Sequence, residues 1–168
     1  LLQAIVETRE LQTSDAPGAG LAPIHAVRLL ARHPVNSVID TLIDTVLCPQ
    51  NGQALVKEAA KALSHMGEKA AGRIVLRIGS VQSDQAKVIL ADTLVETTHS
   101  ETVLRTLLNL YQGMDEEQSK VEILRALVSY GDPQAIPVLE EELVSHSCEP
   151  TTPLSQHLRW AIAQLKKP

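Results

Sequence analysis

The chain has 168 residues, 44% hydrophobic and 21% charged, enough apolar material to order one compact body or a short repeat array. Aromatics are only 2% and Phe is absent, so the core has to be built from Leu, Ile, Val and Ala, which let helices approach closely. A net charge of −5, no basic run longer than Lys166-Lys167, and no apolar stretch near the ~20 residues that span a bilayer weigh against nucleic-acid partners and a membrane segment.

Helical periodicity predicts five helix pairs in chain order. The first pair covers roughly 1–11 and 22–33, separated by the Gly/Pro/Ser segment Thr13 to Gly20. The second covers roughly 35–48 and 53–66, and the third roughly 68–79 and 84–97. The fourth covers roughly 100–112 and 118–130, and the fifth roughly 133–146 and 153–166. Within the fourth pair, Val121, Leu124, Leu127 and Val128 mark the buried side, and Glu122, Arg125 and Ser129 mark the polar one.

Several boundaries carry recognisable chemistry. Pro34 stops the first pair, and Gly67 and Gly131, each four residues past a leucine, should close their helices in the left-handed conformation. Thr98 with Glu101 reads as a capping box. Asp132-Pro133 and Thr152-Pro153 each place a capping side chain before a proline at the first helical position. Pro137 falls inside a predicted helix and should kink it or remove a hydrogen bond. The chain begins at Leu1 rather than Met, with an apolar first helix (Leu1, Leu2, Ile5, Val6), so further chain or a dimer contact is expected there.

One short pattern recurs in the second helix of every pair. His25-Ala-Val-Arg-Leu-Leu30, Glu58-Ala-Ala-Lys-Ala-Leu63, Ile89-Leu-Ala-Asp-Thr-Leu94, Glu122-Ile-Leu-Arg-Ala-Leu127 and Trp160-Ala-Ile-Ala-Gln-Leu165 align without gaps. The final leucines are separated by 63−30 = 33, 94−63 = 31, 127−94 = 33 and 165−127 = 38 residues. A fixed period in this range is the signature of stacked helical repeats. Cys48 and Cys148 then lie three repeats apart, about 30 Å if packed helices are spaced 8–10 Å, too far for a disulfide. Two free thiols suit a reducing, cytoplasmic compartment.

Lys120-Val-Glu-Ile-Leu-Arg-Ala-Leu127 followed by Tyr130-Gly-Asp-Pro-Gln-Ala-Ile-Pro-Val-Leu139 resembles a HEAT repeat, of the short kind found in phycobilisome-lyase-type HEAT proteins. Gly67 to Ile78, after Lys57-Glu-Ala-Ala-Lys-Ala-Leu63, is a looser second copy, and Leu158 to Leu165 resembles the start of another. The third repeat departs, with Asp92 where neighbours have Arg or Lys, and Thr98 where they have Gly or Pro. The period of about 33 is also shorter than the ~40–47 of long HEAT units. The resemblance implies an all-α, right-handed α-α superhelix of about five pairs. One domain would span 1–168, with repeats near 1–33, 34–66, 67–98, 99–131 and 132–168.

In such a stack the second helices line the concave face. One polar column there is Arg28, Lys61, Asp92 and Arg125, and a neighbouring one is His25, Glu58, Ile89, Glu122 and Trp160. A third, one turn on, is Arg32, His65, Glu96 and Ser129. A face of mixed charge suits a protein partner, with Arg28, Lys61 and Arg125 contributing most to an acidic one. Trp160, the sole tryptophan, belongs either to that face or to the end of the apolar core. The expected function is a non-catalytic scaffold or adaptor. The alternative implied by the resemblance is a subunit or regulator of a phycobilin (tetrapyrrole) lyase-type enzyme. None of the six histidines forms the i,i+4 pair of a helical metal site, and His146-Ser-Cys148 lacks further ligands nearby. No phosphate loop, nucleophile elbow or Cys-x-x-Cys is present, Glu140-Glu141-Glu142 reads as a solvated face, and no cofactor is called for.

Overall fold

The computed structural model describes residues 1–168 other than 14, 17, 19, 146–152 and 168. Among the described residues there are ten α-helices, two short 3-10 turns and no strand. The helices are α1 (Leu2–Glu7), α2 (Leu21–Leu30), α3 (Asn36–Leu47), α4 (Gln53–Met66), α5 (Glu68–Ser80), α6 (Asp84–Val95), α7 (Glu101–Gly113), α8 (Glu117–Tyr130), α9 (Ile136–Ser145) and α10 (Pro153–Leu165). None is long and apolar enough to cross a membrane. The chain divides into two compact units, Leu1–Val81 and Gln82–Pro168, at a boundary between the two helices of the third predicted repeat.

In the first unit α1 packs on α2 and α3 on α4, while α2 meets α4 and α3 meets both α1 and α5. The seam is aliphatic: Val27, Ile39, Leu42, Leu63 and Ile74 are fully buried, with Ala59 and Ala70 between them. Alanine at those sites removes bulk where neighbouring helices cross, so their backbones come close. Ion pairs tie α5 to α3. Arg73 makes a fork to Asp40, with Nε donating to Oδ1 at 3.0 Å, and Arg77 pairs with Asp44. Each pair is separated by 33 residues, one repeat period.

In the second unit α8 is the central helix and packs against α6, α7 and α10, while α9 packs on α10. Its position explains why Val121, Ile123, Leu124, Ala126, Leu127 and Tyr130 are all buried, a wider apolar face than a helix with one neighbour needs. Gly131 closes α8 at φ 75, ψ 18, and its N–H reaches the Leu127 carbonyl at 3.1 Å, as the spacing predicted.

Four boundary expectations are corrected. The predicted first helix over 1–11 breaks at Thr8, which is extended, and resumes as a 3-10 turn over Arg9–Gln12. Gly67 has positive φ but ψ −130, outside the left-handed helical region, because it ends α4 and begins α5 within one residue. The cap of α7 is Ser100, not Thr98: Ser100 Oγ accepts from the Val103 N–H at 3.4 Å. The Tyr130 hydroxyl fixes this choice by gripping the Ser100 backbone, accepting from its N–H at 2.7 Å and donating to its carbonyl at 3.0 Å. Pro137 kinks nothing, because Asp132 caps a 3-10 turn over Pro133–Ala135 and the α-helix starts only at Ile136. Pro137 therefore sits in a first turn, where a missing N–H is harmless. Thr152 and Cys148 lie outside the described residues. Cys48 is a free, half-buried thiol that donates to Gln50 Oε1 at 3.2 Å.

Candidate functional site

The five aligned hexapeptides share one burial register. Their second residues (Ala26, Ala59, Leu90, Ile123, Ala161) and their final leucines are buried in every copy. Their fourth residues (Arg28, Lys61, Asp92, Arg125, Ala163) are exposed in every copy, so each of these positions faces water. First-position residues are half-buried or exposed beside it: His25, Glu58, Ile89, Glu122 and Trp160. A helix turns through 100° per residue, so positions one and four share a face that positions two and six avoid.

In the first unit the Arg28 charge on this face is neutralised. Arg28 on α2 forks onto Glu58 of α4, its Nε donating to Oε1 at 2.7 Å and Nη2 to Oε2 at 3.3 Å. That hydrogen bond holds the Glu58 carboxyl below the usual carboxylate range, with smaller help from Lys61 and His25. His65 folds back on its own helix, with Nδ1 2.6 Å from the Lys61 carbonyl.

The same geometric relation recurs in the second unit with different residues. A fourth-position residue of one second helix faces the first-position residue of the next. Asp92 on α6 lies within electrostatic reach of Glu122 on α8. Loss of water around the Asp92 carboxyl, then repulsion from Glu122 and Glu96, raise its pKa. Glu122 takes a hydrogen bond from Gln118 at 3.3 Å. A raised carboxyl favours the protonated folded form, so this contribution is present at acid pH and lost as pH rises through the Asp92 titration. Asp92→Asn should thus raise the melting temperature at neutral pH, by a gain of about 0.5 kcal/mol or less because the residue, though its carboxyl is partly dehydrated, remains open enough to water to screen the repulsion. The gain should vanish in acid; a constant difference across the pH series would contradict the like-charge contact.

In the last helix pairs Arg125 on α8 and Trp160 on α10 border one cleft. Together with Gln156 and His157 they line a shallow cleft of about 320 Å³. Trp160 keeps 41% of its surface exposed and so is not part of the core. Arg125 forms no ion pair among the described residues, unlike its counterpart Arg28.

The structure thus brings Arg28 with Glu58, Asp92 with Glu122, and Arg125 with Trp160, all on second helices as predicted. Sequence reasoning missed the Arg73 and Arg77 ladder, although Asp-to-Arg spacing at the repeat period was a usable signal. It also missed Tyr130 as a clamp on the α7 cap, which no local pattern marks. No three His, Cys, Asp or Glu side chains among the described residues converge as metal ligands, and His146 lies outside them. No family model matches the chain, and no curated protein matches it.

Proposed function

We propose that this chain is a non-catalytic binding module, its helix pairs being layers of a HEAT-like right-handed α-solenoid, and that its second-helix faces hold a protein partner. The observation that carries this reading is the shared register: an exposed, mostly charged fourth position flanked by buried second and sixth positions in all five hexapeptides. Repeated helix pairs offer an extended, shallow surface suited to another macromolecule. A mixed-charge face adds specificity and steering to such contacts. The clefts between helices are open depressions, a form suited to receiving individual side chains of a partner.

The test is affinity capture from the native source followed by mass spectrometry, comparing the natural chain with Arg28→Glu/Arg125→Glu. Both arginines are exposed, so the double variant should lose partners while stability falls only slightly, from loss of the water-screened surface Arg28–Glu58 pair. Retention of the same partners by the double variant would refute the face assignment.

A further inference from the structure

We infer that the Arg125–Trp160 cleft is the seat for one carboxylate side chain of a partner polypeptide, an aspartate or glutamate with an aliphatic neighbour. This rests on the binding-module reading above and names the chemistry of one contact in it. The argument comes from comparing equivalent positions. At the first layer, the fourth-position guanidinium of Arg28 is filled by a carboxylate, Glu58, from the first position of the next second helix. At the last layer the same first position holds Trp160, so Arg125 shares a cleft with an indole where Arg28 bonds an acid. No carboxylate among the described residues takes Glu58's place: Glu122, one turn before Arg125, accepts from Gln118 instead. Nor is the guanidinium stacked on a ring, since the cation–π contact seen among the described residues is Lys120 over Tyr111.

An arginine with its fork open beside an exposed indole recognises a carboxylate carried on an apolar stem. The guanidinium takes the oxygens in a two-point contact, and the indole covers the methylenes or a neighbouring aliphatic side chain. Gln156 and His157 add polar groups at the rim. The volume, about 320 Å³, is at the low end for a whole small-molecule site and ample for one or two side chains. A polyphosphate chain fits less well, because Asp92 on α6, Glu96 just past its end and Glu122 on α8 belong to the same unit and repel extended anions.

Trp160 is the sole tryptophan, so intrinsic fluorescence reads this cleft directly. The probes are the capped peptides acetyl-Leu-Glu-Leu-amide and acetyl-Leu-Gln-Leu-amide, and inorganic phosphate, titrated into the full chain. The glutamate peptide should give a saturable change, about tenfold tighter than the glutamine peptide. R125Q should abolish that preference, and R125K should keep part of it, since a point charge cannot reproduce the fork. No saturable response would overturn the inference. So would equal response to the two peptides, an unchanged preference in R125Q, or phosphate binding as tightly as the glutamate peptide. These outcomes are separate from the capture experiment: peptide discrimination can fail while the double variant still loses its partners, and the reverse pattern would refute only the wider face.

Discussion

Leu127→Ala should lower the unfolding free energy by roughly 2–5 kcal/mol, the largest effect expected of any single aliphatic truncation discussed for this chain. Leu127 is fully buried on α8, the helix that meets α6, α7 and α10 at once. Removing three carbons there strips contacts from several neighbours, and helices pinned on three sides cannot all move inward to refill the space. Its backbone carbonyl also receives the Gly131 N–H that ends the helix, so local collapse would strain that closure. The comparison is Val144→Ala on α9 of the same unit. Val144 is 74% exposed, and its truncation should change stability by no more than about 0.5 kcal/mol. Chemical denaturation of both variants checks the prediction. Equal midpoints would mean that the leucine register is misplaced.

The two tyrosines should respond to loss of their hydroxyls with opposite signs. Tyr130→Phe is expected to destabilise by about 1–3 kcal/mol, because it leaves the Ser100 N–H and carbonyl without the hydroxyl that bonds both. The ring itself, stacked on His99 at a centroid distance of 4.5 Å, would remain in place. Tyr111 is also buried, but its hydroxyl has no hydrogen-bond partner among the described residues. Burial, with a smaller contribution from Glu142, pushes its phenol pKa above the usual range, so it stays protonated. Tyr111→Phe removes an unsatisfied polar atom and keeps the ring under Lys120 Nζ, 5.6 Å from its centroid. A gain of about 1 kcal/mol is expected. Thermal melts of the two variants give the signs at once, and destabilisation by Tyr111→Phe would show that a partner holds that hydroxyl.

Much of the secondary structure was legible. Predicted α4 coincides with Gln53–Met66, and the others lie within a few residues of the observed limits apart from the broken first helix. The five aligned leucines are all buried and the fourth-position column is exposed, as their spacing required. Errors gathered where a distant side chain intervened. Thr98 and Ser100 are equally good caps by composition, and only Tyr130, 30 residues on, selects Ser100. Pro137 read as an interior proline because nothing nearby revealed that a 3-10 turn would precede the α-helix.

For the candidate site the division is similar. The hydrophobic period by itself determined which residues face the core and which face water, since that choice depends only on the helix repeat and on excluding apolar surface from solvent. It also gave Arg28, Lys61, Asp92 and Arg125 the same exposed position within their own helices. The tertiary structure alone decided what surrounds each charge: a carboxylate bonded to Arg28, like charges near Asp92, and a cleft that Arg125 shares with an indole. The reason is range. Burial is specified turn by turn along one helix, whereas charge neutralisation rests on which side chain of the next layer comes within a few ångströms, and that is fixed only when the helices pack.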